Sequence, residues 1–419
     1  MADSSGKSGG GTGGEEIRTS ARQSSYNKKR RLSPTTQLMS GNNDAVVTLS
    51  PTVLAAMLQV SQKGFPGFHS LLLGQHGSVV PTEAQIAQAA TKAAQETPPF
   101  VHLSKTDSAP QLTIEDYLTV KGGMRGYRMS RASHGVSEGT YYFECHILEP
   151  PKVQDLVKQL PPNVRLGPKL QKQLQKALSE DESDFVCGHS RIGWSMRTGD
   201  LQAPVGYDKW SYGYRDQSGS RVHASQREDL WGAKPYGVGD VVGFMISLEG
   251  SDDMNDTSEN HIRFFRNGDN MGHYVVTRGK REGGVAFEDI PHGTYYPAIS
   301  VYLGASVHVN FGPHFCYPPR KLPSNYKKWQ PVSNLCEPPL EPSKDVLMAH
   351  MKKHWPGGSS MKKVDDTLLQ TLLNLLKQEA QIRQEAYKRH FEANMETLRK
   401  AREARKLSTN DLVLGEEGV

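Results

Sequence analysis

Gly139-Thr140-Tyr141-Tyr142-Phe143-Glu144-Cys145-His146-Ile147 is the stretch that decides the fold class. It is a strand-length run of aromatic and β-branched residues, opened by glycine. Three more runs share its texture: Asp240-Val241-Val242-Gly243-Phe244-Met245-Ile246, His261-Ile262-Arg263-Phe264-Phe265 and Val307-His308-Val309-Asn310-Phe311. Each is long enough for one strand, and apolar residues recur at alternate positions. Arg266-Asn267-Gly268-Asp269 supplies the Asn-Gly pair that a two-residue hairpin demands. Many short strands without long helices between them predict an all-β sandwich of two antiparallel sheets over residues 98–320.

Outside that span the texture changes. Residues 1–44 are Gly- and Ser-rich and read as a disordered tail, carrying the cluster Lys28-Lys29-Arg30-Arg31. Four adjacent cations suit an acidic import receptor or a phosphate backbone, and the same run also reads as an ordinary solvated charge cluster. Residues 45–97 are a partly helical linker, with one helical pattern opening at Ser50-Pro51 and another over Glu83–Ala94. Residues 151–184 are a Lys/Gln/Leu-rich insertion in the sandwich, expected as a surface excursion. Residues 321–360 are a Pro-rich linker with a short amphipathic helix from Asp345, and 408–419 form a tail.

Residues 361–407 read as one long helix. Leu369, Leu373, Leu376, Ala380, Tyr387, Phe391, Met395 and Leu398 recur on one face. A polar helix with a single apolar stripe needs something to pack against. Because it follows a linker, the expectation is a partner in another chain rather than the sandwich.

Composition excludes several classes. The chain has 419 residues, only 36% of them hydrophobic, with 40 Gly and 25 Pro, which leaves apolar material for one good core. Net charge is +5, too small for a dedicated nucleic-acid wrapper. Four cysteines, none at CxxC spacing, make neither a disulfide framework nor a zinc finger, and predict reduced thiols. No stretch reads as a membrane span or a secretory signal. Asp252, Asp253, Asn255 and Asp256 lack the spacing and glycine of a calcium loop, so no metal and no cofactor are expected. There is no nucleophile elbow, Walker loop or His-Glu-x-x-His, and the chain is read as a non-enzyme.

What remains is a binding surface. Arg191-Ile192-Gly193-Trp194-Ser195, Leu201-Gln202-Ala203-Pro204-Val205-Gly206-Tyr207-Asp208 and Trp210-Ser211-Tyr212-Gly213-Tyr214-Arg215 concentrate aromatics and arginines in one window. Trp194 is read as core. Arg191 and Arg215 would need internal partners if buried, so they are read as anchors for an acidic peptide.

This window resembles a SPRY domain, and more narrowly that of the Ash-two/Bre-two family of COMPASS-type histone methyltransferase subunits. The similar stretches also include Gly126-Tyr127, Arg131-Ala132-Ser133-His134-Gly135-Val136, Tyr295-Tyr296-Pro297-Ala298-Ile299-Ser300 and Asn310-Phe311-Gly312-Pro313, in family order across about half the chain. The resemblance implies a SPRY-type sandwich and a nuclear scaffold subunit that supports a SET-domain methyltransferase acting on histone H3 lysine 4. It implies that Tyr127, Arg191, Pro204, Tyr207 and Arg215 hold an acidic segment of the WD-repeat, retinoblastoma-binding subunit. A basic residue common in the family after the second arginine is here Gln217 or Ser218, a weaker pocket charge. The resemblance also implies a helix that docks the Dpy-thirty/Sdc-one dimer. Two segments offer the required face: Val346, Leu347 and Met351, or Leu368, Leu369, Leu372, Leu373 and Leu376, with the second slightly preferred. Any contact with nucleosomal DNA falls to Lys28–Arg31, through phosphate charge. The alternative reading is a SPRY peptide-binding adaptor for ubiquitin ligation or ribonucleoprotein assembly.

Overall fold

The computed structural model describes residues 65–74, 81–158, 188–229, 231–249, 259–277, 280–320, 328–336 and 366–416, with a separate hairpin of β1 (Thr36–Met39) and β2 (Val46–Leu49) and a few single positions in 165–175 and 322–345. Lys28–Arg31, Val346, Leu347 and Met351 lie outside the described residues, as do the Ser50–Leu58 pattern, most of the insertion and most of the acidic loop.

Alternation of apolar and polar side chains builds two antiparallel sheets face to face. The first runs, in spatial order, β11 (Gln226–Glu228), β10 (Arg221–His223), β9 (Ser211–Arg215), β8 (His189–Ser195), β17 (Tyr296–Tyr302), β6 (Arg128–Ala132) and β3 (Leu103–Ser108). The second runs β14 (Asp269–Asn270), β13 (His261–Arg266), β12 (Val241–Leu248), β7 (Gly139–Leu148), β18 (Ser306–Asn310), β5 (Thr119–Lys121) and β4 (Thr113–Glu115). β19 (Gln330–Pro331) adds to β7 in parallel, and β15 (Tyr274–Thr277) pairs only with β16 (Lys280–Gly283). The expected all-β sandwich is the fold. Asn267 and Gly268 both have positive φ between the paired residues Arg266 and Asp269, as the tight β13–β14 turn requires.

Aromatic rings fill the space between the sheets. From the first sheet come Trp194 and Tyr214; from the second come Phe143, Phe244 and Phe264. Trp194 meets Phe143 edge-on at 5.1 Å and Tyr214 stacks on Phe264 at 5.3 Å, so the sheets are tied ring to ring. Tyr212 and Tyr214 are therefore core residues along with Trp194.

Among the described residues, the α-helices outside the sheets are α1 (Pro66–Gly74), α2 (Glu83–Glu96), α3 (Val153–Lys158) and α4 (Asp366–Glu416). Thr82 and Gln85 form a capping box that starts α2. In the insertion, Leu156 and Leu174 pack on Met124 and Leu303 at the edge of the sandwich.

The long helix corrects the expectation of a partner in another chain. α4 folds back onto α1, α2 and the second sheet. Leu372, Leu373 and Leu376 are buried within this chain, with Phe68 and Leu72 of α1 and Ile86 and Ala90 of α2 also buried. Gly67 makes the fit possible: a Cβ there would sit 2.9 Å from the Ala90 backbone. Glu379 of α4 accepts hydrogen bonds from the Gly67 and Phe68 N–H groups, at 2.9 and 2.8 Å, so it caps the first turn of α1. The stripe was legible, but a stripe states that something covers it and not what. Leu368 and Leu369 lie on α4, and nothing is described of their side chains.

Candidate protein-docking site

The outer face of the first sheet carries the predicted anchors. On β8, Ile192 and Trp194 point into the core, so Arg191 and Gly193 point out. On β9, Tyr212 and Tyr214 point in, so Gly213 and Arg215 point out. Pairing of β8 with β9 sets Arg191 directly opposite Arg215. Like charges directly opposed on neighbouring strands destabilise a sheet.

A third arginine shows what the fold does when it uses one internally. Arg131, on β6, is 2% exposed. It is bidentate to Asp107, with its closest contact at 2.8 Å, and donates to the carbonyls of Met196, Arg197 and Gly199. Arg191 and Arg215 are half-buried, each with an Nε that finds no acceptor. Among the described residues neither forms an ion pair with a carboxylate. Two acids lie nearby: Asp216 pairs with His189 at 2.7 Å, and Asp229 pairs with Arg227 at 3.1 Å while also feeling the charge of Arg215.

Aromatic rings wall the pair. The Arg191 guanidinium lies over the Tyr127 ring at 5.2 Å, a cation–π contact. Tyr127 leans on Tyr302 of β17 at 5.4 Å, and His189 stacks on Tyr302 at 6.3 Å. Burial and then Asp216 push the Tyr127 phenol well above its usual range, against the pull of Arg191 and Arg215. The hydroxyl therefore stays protonated. Arg215 donates to the Gln217 side-chain oxygen, and the Gln217 amide reaches His189 at 3.3 Å. Gln217 thus occupies part of Arg215's fork without neutralising its charge.

The 201–208 loop lies along the same face. Gly213 leaves room for it: a Cβ there would meet the Val205 carbonyl at 2.8 Å. Val205 packs with Met129, Ala298 and Leu201, and its N–H donates to Ser300 Oγ, which donates in turn to the Arg191 carbonyl. The Tyr207 N–H donates to the Pro204 carbonyl, and Gly206 sits at φ +86°, which makes Pro204–Tyr207 a turn needing glycine at its third position. Asp208 ties the loop's base, accepting from Asp200 N, Trp210 N and Ser211 Oγ. Tyr207 is left 54% exposed at the tip.

A scan of protein families matches residues 187–314 to the SPRY domain. The chain is 34% identical over 256 residues to the Set1/Ash2 histone methyltransferase complex subunit ASH2 of Drosophila melanogaster, covering 53% of this chain and 37% of that protein. It is 31% identical over 254 residues to the ash-2 subunit of Caenorhabditis elegans, covering 53% and 38%. It is 29% identical over 159 residues to the COMPASS component BRE2 of Saccharomyces cerevisiae, covering 36% and 31%. Residues 187–314 match a SPRY domain, and the stretch around them is similar to subunits named ASH2 and BRE2. The matched stretch spans less than two fifths of each of those relatives. Among solved structures the SPRY domain of human HERC1 is similar, at 16% identity, with 51% of this chain and 99% of that one covered and a TM-score of 0.33.

In this sandwich Tyr127, Arg191 and Arg215 come together, while Pro204 and Tyr207 stand on the loop beside them. Sequence reasoning missed Tyr302 and His189, and singled out Gln217 only as one of two positions where a cation is replaced. Tyr302 had a signal, since it alternates with Ser300 on one strand and so shares its outward face. His189 likewise alternates with Arg191.

Proposed function

We propose that this chain is a non-catalytic scaffold subunit of a Set1/COMPASS-type complex that methylates histone H3 at lysine 4. Its SPRY face grips an acidic segment of the WD-repeat, retinoblastoma-binding subunit. The observation that carries this reading is the opposed pair Arg191 and Arg215, two guanidinium groups that form no ion pair with a carboxylate among the described residues. An external carboxylate would relieve their repulsion and gain charge-assisted, two-pronged hydrogen bonds. Tyr127, Tyr302 and Tyr207 would supply rigid apolar area around that charge.

The Dpy-thirty/Sdc-one dimer is assigned to Val346, Leu347 and Met351, because Leu372, Leu373 and Leu376 are consumed within the chain. By binding the active arrangement of the SET-domain enzyme more tightly than the inactive one, the scaffold raises its population. Such a role places the protein in the nucleus, where Lys28–Arg31 would serve import or contact phosphate.

The test is the affinity of the full chain for an acidic peptide from the WD-repeat subunit. In Arg191→Ala/Arg215→Ala the affinity falls by at least about 2 kcal/mol, roughly 30-fold. An unchanged dissociation constant rejects the site. Recovery of a ubiquitin ligase instead of a SET-domain enzyme from nuclear extract supports the adaptor reading.

A further inference from the structure

The covered face of the second sheet holds a cluster that the docking function does not use. Glu144 and His146 are alternate residues of β7 and so project from the same side, beneath α4. Cys316 lies on the segment after β18, 172 positions from Glu144 in the chain, and folds back over it. One donor atom from each residue, a carboxylate oxygen, an imidazole nitrogen and a thiol sulfur, lies within 4.8 Å of the other two. Among the described residues this is the one such group.

The donor geometry has the right scale. His146 Nε2 is 3.2 Å from Glu144 Oε1. The edge of a tetrahedron with bonds of ~2.0–2.1 Å is roughly 3.3 Å. These two atoms are therefore spaced as two ligands of one ion would be. The surroundings also behave as an outer shell. Asn310 Nδ2 and the Cys316 N–H donate to Glu144 Oε1 at 2.9 and 2.7 Å, and the Tyr317 N–H donates to Oε2 at 3.1 Å. Two of these donors sit on Oε1 and one on Oε2, so they orient the carboxylate and leave its open acceptor position on Oε2; an ion held by Oε1 would take the place of one of its two donors.

An entry path is present. Cys316 lines a partly open cavity of about 440 Å³ between the sandwich and α4, walled by His314, Phe315, Phe391, Met395 and Leu398. On the side of α4 the Cys316 thiol meets the Leu398 carbonyl at 3.9 Å, a weak contact. Glu144 is fully buried and His146 nearly so. One thiolate, one carboxylate and one neutral imidazole around a divalent ion sum to zero charge, which suits a site so far from water.

We propose that Glu144, His146 and Cys316 bind a divalent cation of the zinc class, with the fourth position facing the cavity. A thiolate, an imidazole and a carboxylate are the ligand types that zinc takes, and three protein ligands with one open position is the arrangement of an exchangeable rather than a closed site. Binding releases the Cys316 thiol proton, and the proton that His146 Nε2 shares with Glu144, to solvent, and forms the metal–sulfur and metal–nitrogen bonds in their place. It pins the segment after β18 to β7 underneath the long helix.

The probe is cobalt(II) alone, titrated into full-length, chelator-stripped and reduced protein, followed by zinc(II). The expected result is one equivalent of cobalt with a thiolate-to-cobalt charge-transfer band, displaced by zinc, and a melting temperature raised by zinc. Cys316→Ala abolishes the band and the shift, while Cys187→Ala and Cys336→Ala keep both. Absence of the band in the wild-type protein overturns the proposal without reference to any variant. So does a band of full strength in Cys316→Ala.

Discussion

The two outer faces of the sandwich are treated in opposite ways. On the second sheet the chain supplies its own cover. His308 meets the Asn394 side-chain oxygen at 3.0 Å, the Asn394 amide donates to Asn310 at 3.3 Å, and His390 stacks on Phe100 with ring centres 3.3 Å apart. Polar groups there have partners because α4 brings them. On the first sheet the 201–208 loop covers only the middle, over Gly213 and Ala298. Beyond it, Arg191 and Arg215 face each other, and among the described residues neither is ion-paired to a carboxylate. The difference teaches that exposure alone does not mark a docking face. What marks it is charge that the fold has positioned and then left unanswered.

Breaking the covered face should cost stability and leave recognition alone. Leu376→Ala removes a buried side chain from α4 and should lower unfolding free energy by about 2–5 kcal/mol in denaturant titration. Its affinity for the acidic peptide should not change. Asn394→Ala strips partners from both His308 and Asn310 and should cost about 1–3 kcal/mol. Amide exchange should then speed up along α4 before it does in β7 or β12.

A smaller effect comes with pH. Burial, with the neighbouring His308 and His102 adding to it, pushes His390 down from 6.5 to about 3. A depressed imidazole is neutral when folded and takes a proton when released. Its contribution to stability is therefore complete above pH 6.5 and declines as pH falls from there toward about 3. Melting curves between pH 7 and 4 should show this decline, and His390→Phe, which keeps a ring against Phe100, should flatten it. The smallest effect belongs to the open face: Tyr127→Phe removes one hydroxyl and should weaken peptide binding by about 0.5–1.5 kcal/mol with no change in melting.

Much of this contrast is written in local patterns. Alternation along Gly139–Ile147 and its fellow runs, with the Asn267-Gly268 turn, is enough for a sandwich. Arg191 and Arg215 stand out because each ends or opens a run whose alternate residues are apolar. The rest depends on distance in the chain. Nothing near Leu376 says that α1 and α2, some three hundred residues earlier, will cover it. Glu144 and His146 show their shared face by spacing, but Cys316 joins them only through the turn after β18. Tyr302 and His189 become a wall only once β17 pairs with β8.

The central claim is that an external anion completes the Arg191–Arg215 pair. The most direct measurement is the dissociation constant for the acidic peptide at low and at high salt, in the wild-type protein and in Arg191→Ala/Arg215→Ala. The account predicts that wild-type binding weakens steeply with salt, and that the double variant is both weaker and nearly insensitive to salt. Equal salt dependence in the two proteins, with a lowered melting temperature in the variant, would contradict it and make the arginines structural.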